Sequence, residues 1–98
     1  MSHPIEIIEE NEGRHGWSFR AQILDDAGGL HVAEVTLSWA DYNHWSASGS
    51  DTPSAVAAAV VRFMLTHLAP AEVPARFDAA TTRQRYPDAD GVIPSLIG

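Results

Sequence analysis

The residue types best suited to chemistry in this 98-residue chain gather in one stretch, Trp39-Ala40-Asp41-Tyr42-Asn43-His44-Trp45. A histidine near a carboxylate can exchange a proton close to neutral pH or ligate a divalent ion, so Asp41 and His44, with His31 as a third partner, are the candidates for acid-base or metal chemistry. Tyr42 and the flanking tryptophans offer amphipathic contact area, the material of binding surfaces. The metal pattern is incomplete: the five histidines are scattered and no His-Glu-x-x-His helix motif occurs. Surface or hydrogen-bonded histidines account for them without a metal or a cofactor.

Three other groupings resolve into ordinary structure. Ser46, Ser48 and Ser50 precede a helix start, where hydrolases place a nucleophile, but none has the required glycine two residues before it. They read as a self-hydrogen-bonding approach to a helix cap. Asp88-Ala89-Asp90-Gly91 has the alternating carboxylates of a calcium loop, yet that loop's first and last ligand positions would fall on Tyr86 and Ile97, so only a turn remains. Arg76, Arg83 and Arg85 form the one locally basic patch, and a solvated surface segment explains it.

Composition removes whole classes of function. There is no cysteine, which excludes disulfides, thiolate nucleophiles and Cys-containing zinc sites and points to a reducing, cytoplasmic setting. All six basic residues are arginine, which excludes Schiff-base chemistry and a Walker-type phosphate lysine. Richness in Ala, Arg and Asp without Lys resembles bacterial GC-rich coding. The net charge of −7 lies entirely in residues 1 to 51, where nine acids face Arg14 and Arg20. Such a surface repels phosphate, so nucleic acid is not the expected partner. No stretch has the length and apolarity to cross a bilayer, and membrane is not expected either.

The elements that must position these residues follow from periodicity. Ile5, Ile7 and Ile8 read as a strand, and Glu9 to Gly16 as a polar turn. Trp17, Phe19, Ala21 and Ile23 alternate with Ser18, Arg20 and Gln22; Ala33, Val35, Leu37 and Trp39 alternate with Glu34, Thr36 and Ser38. Asp25 to Gly29 joins them as a hairpin, the second of an antiparallel meander. Strand phase puts Trp39 in the core, with a turn or bulge at Asp41 to Asn43 before Trp45 re-enters a short strand. Tyr42 and Trp45 are then either packed at a strand edge or exposed for recognition. Thr52-Pro53 starts a helix over about 53–69, with Thr52 as cap and Pro53 where its missing N–H costs nothing. Beyond Pro70, prolines at 74, 87 and 94 predict an irregular tail with one short helix over about 78–84, capped by Asp78. The apolar end, Val92 to Ile97, is expected to dock on the domain or pair with another chain.

The meander followed by a helix entered through Gly49-Ser50-Asp51-Thr52-Pro53-Ser54-Ala55 resembles the partial double-stranded-RNA-binding-type fold of HicB-like antitoxin domains, which enter their helix through a comparable Gly-x-x-Thr segment. The resemblance covers residues 17 to 68. The chain departs from that pattern in lacking a Pro-Asp-x-Pro-Gly type segment before the cap and in carrying Ser54 where an acidic residue commonly stands, and no DNA-binding module follows. It implies a binding role without naming a partner.

The expectation is therefore one α+β domain over 1–98: a three- or four-stranded antiparallel meander and one main helix within 1–69, and a C-terminal extension over 70–98 that is docked or partly disordered. Its expected role is non-catalytic binding of a protein partner or of a second copy, with Asp41, Tyr42, His44 and Trp45 as binding residues. The competing expectation is a small metal-dependent enzyme or metal-binding protein using Asp41 and His44.

Overall fold

The computed structural model describes residues 4–97. Three strands, β1 (Ile5–Glu12), β2 (Gly16–Leu24) and β3 (Leu30–Ser38), pair in sequence order and antiparallel. A fourth, β4 (Arg76–Asp78), returns from late in the chain to pair with β3 in parallel, so the sheet is mixed and ordered β1-β2-β3-β4. The helices are α1 (Trp39–Trp45), α2 (Pro53–His67), α3 (Ala80–Arg85) and α4 (Ala89–Leu96).

Alternation decides which face of the sheet is covered. Phe19, Ala21, Ile23, Ala33, Val35 and Leu37 are buried on one face, where α2 meets them with Val56, Val60, Val61, Phe63 and Met64. Their intervening neighbours in β2 and β3 point the other way. Thr52 Oγ1 accepts from the Ala55 amide at 3.1 Å and Pro53 occupies the first turn, which defines where α2 begins. At the start of β2 the backbone passes so near β3 that only glycine fits. A Cβ on Gly16 would lie 2.1 Å from the Leu37 carbonyl oxygen, and its φ of +149° is one that side-chain-bearing residues avoid.

Four expectations need correction. The four-stranded sheet is not wholly antiparallel, because β4 reaches β3 from the helical layer and joins it in parallel. Residues 39 to 45 do not extend β3 through a bulge into another strand; they turn into a helix, because Ser38 Oγ caps it by accepting from the Asp41 amide at 3.1 Å. A three-residue spacing that cannot share one strand face does share a helix face, so Tyr42 and Trp45 are buried together. Trp39 is consequently not core: it is 44% exposed and leans on the Trp17 ring, centroids 4.3 Å apart. The chain beyond Pro70 is not an irregular tail either. It supplies β4, then α3 starting at Ala80 with Asp78 Oδ1 accepting from the Ala80 amide, and then α4, which lies against α2 with Ile93 fully buried.

Candidate binding surface

The four residues singled out in the aromatic stretch share one helix but not one surface. Asp41, Tyr42 and Trp45 are buried, and only His44, with half of its side chain accessible, is open to solvent. The Tyr42 hydroxyl donates to the carbonyls of Gly49 and Asp51, which ties α1 to the loop leading into α2. In the same loop Ser46 Oγ donates to Asp51 Oδ2 at 2.7 Å and Ser48 bonds Ser50, so the serines are engaged in shaping the approach to the cap. His31 is not part of the group. It stands at the opposite end of β3, with Nε2 2.8 Å from Asp25 Oδ2. That contact, with the Gly29 and Ala27 amides, holds the Asp25 carboxyl below its ordinary range against an opposing effect of burial.

What α1 meets instead is a residue from the basic patch. Arg83 of α3 places Nη1 2.9 Å from Asp41 Oδ1 and Nε 2.8 Å from Asp90 Oδ1, while its guanidinium carbon lies 5.0 Å from the centre of the Trp45 ring. Trp45 Nε1 donates to the same Asp90 oxygen at 2.9 Å, and His44 Nε2 approaches it at 3.3 Å. Three donors on one oxygen exceed its two lone pairs, so His44, the longest and most exposed, is the weakest member. The Arg83 hydrogen bond lowers the Asp90 carboxyl from its usual range, with partial burial opposing and Trp45 assisting. Asp90 in turn raises the Arg83 guanidinium further, so the arginine is charged at every pH the fold meets. One cation among two carboxylates and an indole cross-links α1, α3 and α4. Sequence reasoning placed Arg83 in a solvated patch and Asp90 in a turn, and no local signal joins them to Asp41, 42 and 49 positions earlier.

The position a metal would take between Asp41 and Asp90 is thus filled by the guanidinium. Among the described residues, no three His, Asp or Glu side chains are arranged to hold a metal ion. None of the described helices is long and apolar enough to cross a membrane.

The accessible surface with built geometry lies on the other side of the sheet. Glu9, Arg20, Glu34 and Arg76 stand in register, one on each strand. Arg20 reaches Glu9 at 3.4 Å and Glu34 at 3.6 Å, and Arg76 Nε reaches Glu34 at 2.9 Å. The next row, Asn11, Ser18, Thr36 and Asp78, is also in register, with Thr36 Oγ1 donating to Asp78 Oδ2 at 2.7 Å. Toward the far end of the strands the face turns apolar. Ile8, pushed outward by a bulge between Ile7 and Glu9, is 43% exposed, Val32 47%, Leu24 36% and Leu30 62%. A shallow depression lined by Ile8, Arg20, Gln22, Val32, Glu34, Ala75 and Arg76 marks where the two zones meet. This row was readable in principle: residues 20 and 34 are equidistant from the centre of the hairpin turn at Ala27, which places Arg20 opposite Glu34.

Comparison with family models, curated proteins and solved structures finds no match to this chain.

Proposed function

We propose that the chain is a non-catalytic module that binds protein, a partner or a second copy of itself, through the uncovered face of its sheet. The observation that carries this reading is that face: four large apolar side chains remain exposed beside a charge row already arranged in fixed register. Open antiparallel sheets ordinarily present polar residues to water on their free side. Clustered apolar exposure rimmed by polar groups is what interaction surfaces show. The residues best suited to catalysis point the same way, because Asp41 is committed to Arg83 and Trp45 to Asp90, leaving His44 without a free carboxylate beside it. The likeness to HicB-like antitoxin domains, held at the level of fold, also favours binding.

The test compares the wild-type chain with Val32→Lys and Leu30→Lys, which charge the face without touching the core. Light scattering over a concentration series reads self-association, and affinity capture from the native host, with each variant as the control bait, reads a partner. Association or capture that the variants lose is the expected result. A wild-type chain that stays monomeric and captures nothing the variants do not capture would sink the reading.

A further inference from the structure

Resting on that reading, we infer that the occupant of the open sheet face is a second copy of this chain, stacked face to face about a two-fold axis that runs along the strands between β2 and β3. The charge row selects both the partner and the axis. Across the strands it reads Glu9, Arg20, Glu34, Arg76, alternating in sign, with β1 and β4 at its ends. Rotation about an axis parallel to the strands reverses the order of the row. Glu9 then faces Arg76 of the second copy and Arg20 faces its Glu34, so every charge meets its opposite. The other face-to-face two-fold, with its axis along the row, sets each residue over its own copy and every charge over its like, which is repulsive.

The remaining rows obey the same operator. Asn11 comes over Asp78, an amide donor over a carboxylate, and Ser18 over Thr36, two hydroxyls. At the apolar end Gln22 comes over Val32, and Leu24 over Leu30, whose exposed surfaces are then removed from water together. Stacked sheets lie about 10 Å apart, a gap that arginine and glutamate side chains from the two sides can span. Arg76 is suited to this, since its Nε is on Glu34, 81% of its side chain is exposed, and its terminal nitrogens make no hydrogen bond among the described residues.

Charge and area fit a weak contact. The chain carries −7, yet the central row sums to zero, and only Asp78 and Glu6 add uncompensated acid to the stacked rows, so most of the acid excess lies off the contact. With strands about 4.8 Å apart and rows about 6.8 Å apart, β1 to β3 over four rows and β4 over two cover roughly 450 Å² per copy, or about 900 Å² in all, the size of a weak, reversible contact. A reversible dimer with micromolar affinity fits such a contact better than an obligate one.

The experiment uses two variants of the full chain, Arg20→Glu and Glu34→Arg, in sedimentation equilibrium alone and mixed. In the proposed dimer each substitution puts two like-charge pairs across the interface, and each is expected to weaken dimerisation about tenfold or more. In the equimolar mixture, positions 20 and 34 again oppose one another with opposite signs. The expected result is a wild-type mass of twice 10.6 kDa, single variants near 10.6 kDa, and recovery of the doubled mass on mixing. Circular dichroism checks that each variant folds. Should one fail, Arg76→Glu mixed with Glu9→Arg repeats the logic at the outer strands. Variants that dimerise undiminished, or a mixture that stays monomeric, overturn the proposed geometry. A monomeric wild type overturns self-association altogether, and the binding-module reading then survives only if capture of a partner still depends on Val32 and Leu30.

Discussion

Replacing Arg83 by methionine removes the cation that joins α1, α3 and α4 while keeping most of the apolar stem. Three losses follow, and burial ranks them. The Asp41 side chain is only 8% exposed, so its carboxylate is left in the interior without its charged partner, a defect that costs about 3–5 kcal/mol in fully buried pairs. Arg83 itself is 35% exposed, which admits water to the site and brings the cost below that range, to about 2–3 kcal/mol. Asp90, at 41% exposure, adds no more than about 0.5 kcal/mol, and the cation over the buried Trp45 ring about another 0.5–1 kcal/mol. The sum, about 2.5–4.5 kcal/mol, is a large share of the ~5–10 kcal/mol expected for a domain of this size. Urea unfolding followed by tryptophan fluorescence measures it, since Trp45 sits in the joint and reports its loss. The decisive comparison is Asp41→Asn in both backgrounds. In the wild type it breaks the pair and destabilises; after Arg83→Met it replaces a stranded charge by a neutral amide and is expected to restore about 1 kcal/mol or more. An Arg83→Met cost below about 1 kcal/mol, or an Asp41→Asn effect of the same sign and size in both backgrounds, would refute the claim that this pair holds the helices together.

The two remaining expectations concern the backbone and the acid limit. Gly16→Ala drives a Cβ to 2.1 Å from the Leu37 carbonyl and is expected to cost more than about 3 kcal/mol, whereas Gly28→Ala, with φ +87° but open space around it, costs only the strain of about 1–2 kcal/mol; thermal melts by circular dichroism distinguish them. Asp90 has its folded pKa lowered, chiefly by Arg83, so its contribution is complete above the unfolded value near 4 and is lost as pH falls through the folded one. The stability gap between wild type and Asp90→Asn, read from urea midpoints, should therefore be constant from about pH 8 to 5 and close below about pH 4; a gap unchanged at pH 3 would deny the ion pair its role.

That strands and helices share this chain was legible because two signals are strong and local. Alternation over Trp17 to Ile23 and Ala33 to Leu37 has the period of a half-buried sheet, and Thr52-Pro53 carries its own capping hydrogen bond. The late elements lacked such signals. β4 is three residues with a single buried ring, Phe77, and its pairing with β3 spans 42 positions, so it exists only through tertiary contact. In α4 the spacing of Val92, Ile93 and Leu96 is helical, but Gly91 and Pro94 fall inside it and read as breakers. Burial of Ile93 against α2 outweighs both.

The aromatic stretch shows how a strand rule can be carried one residue too far. Ser38 continues the polar phase of β3 and is also the cap of α1, and a single hydrogen bond to the Asp41 amide decides between the two. Once α1 is helical, Asp41 and Trp45 turn toward Arg83 and Asp90, and chemistry that suggested a reactive site is consumed in binding helices to one another. That joint also fastens α3 and α4 to the helical layer with α2, on the covered side of the sheet. Among the described residues no segment covers the face bearing Glu9, Arg20, Glu34 and Arg76, and its apolar end is exposed to water at a cost of about 25 cal/mol for each Å². A surface with that deficit and with charges already in register lowers its free energy by acquiring a complementary face, and the same surface rotated about the strands is the complement the chain itself supplies.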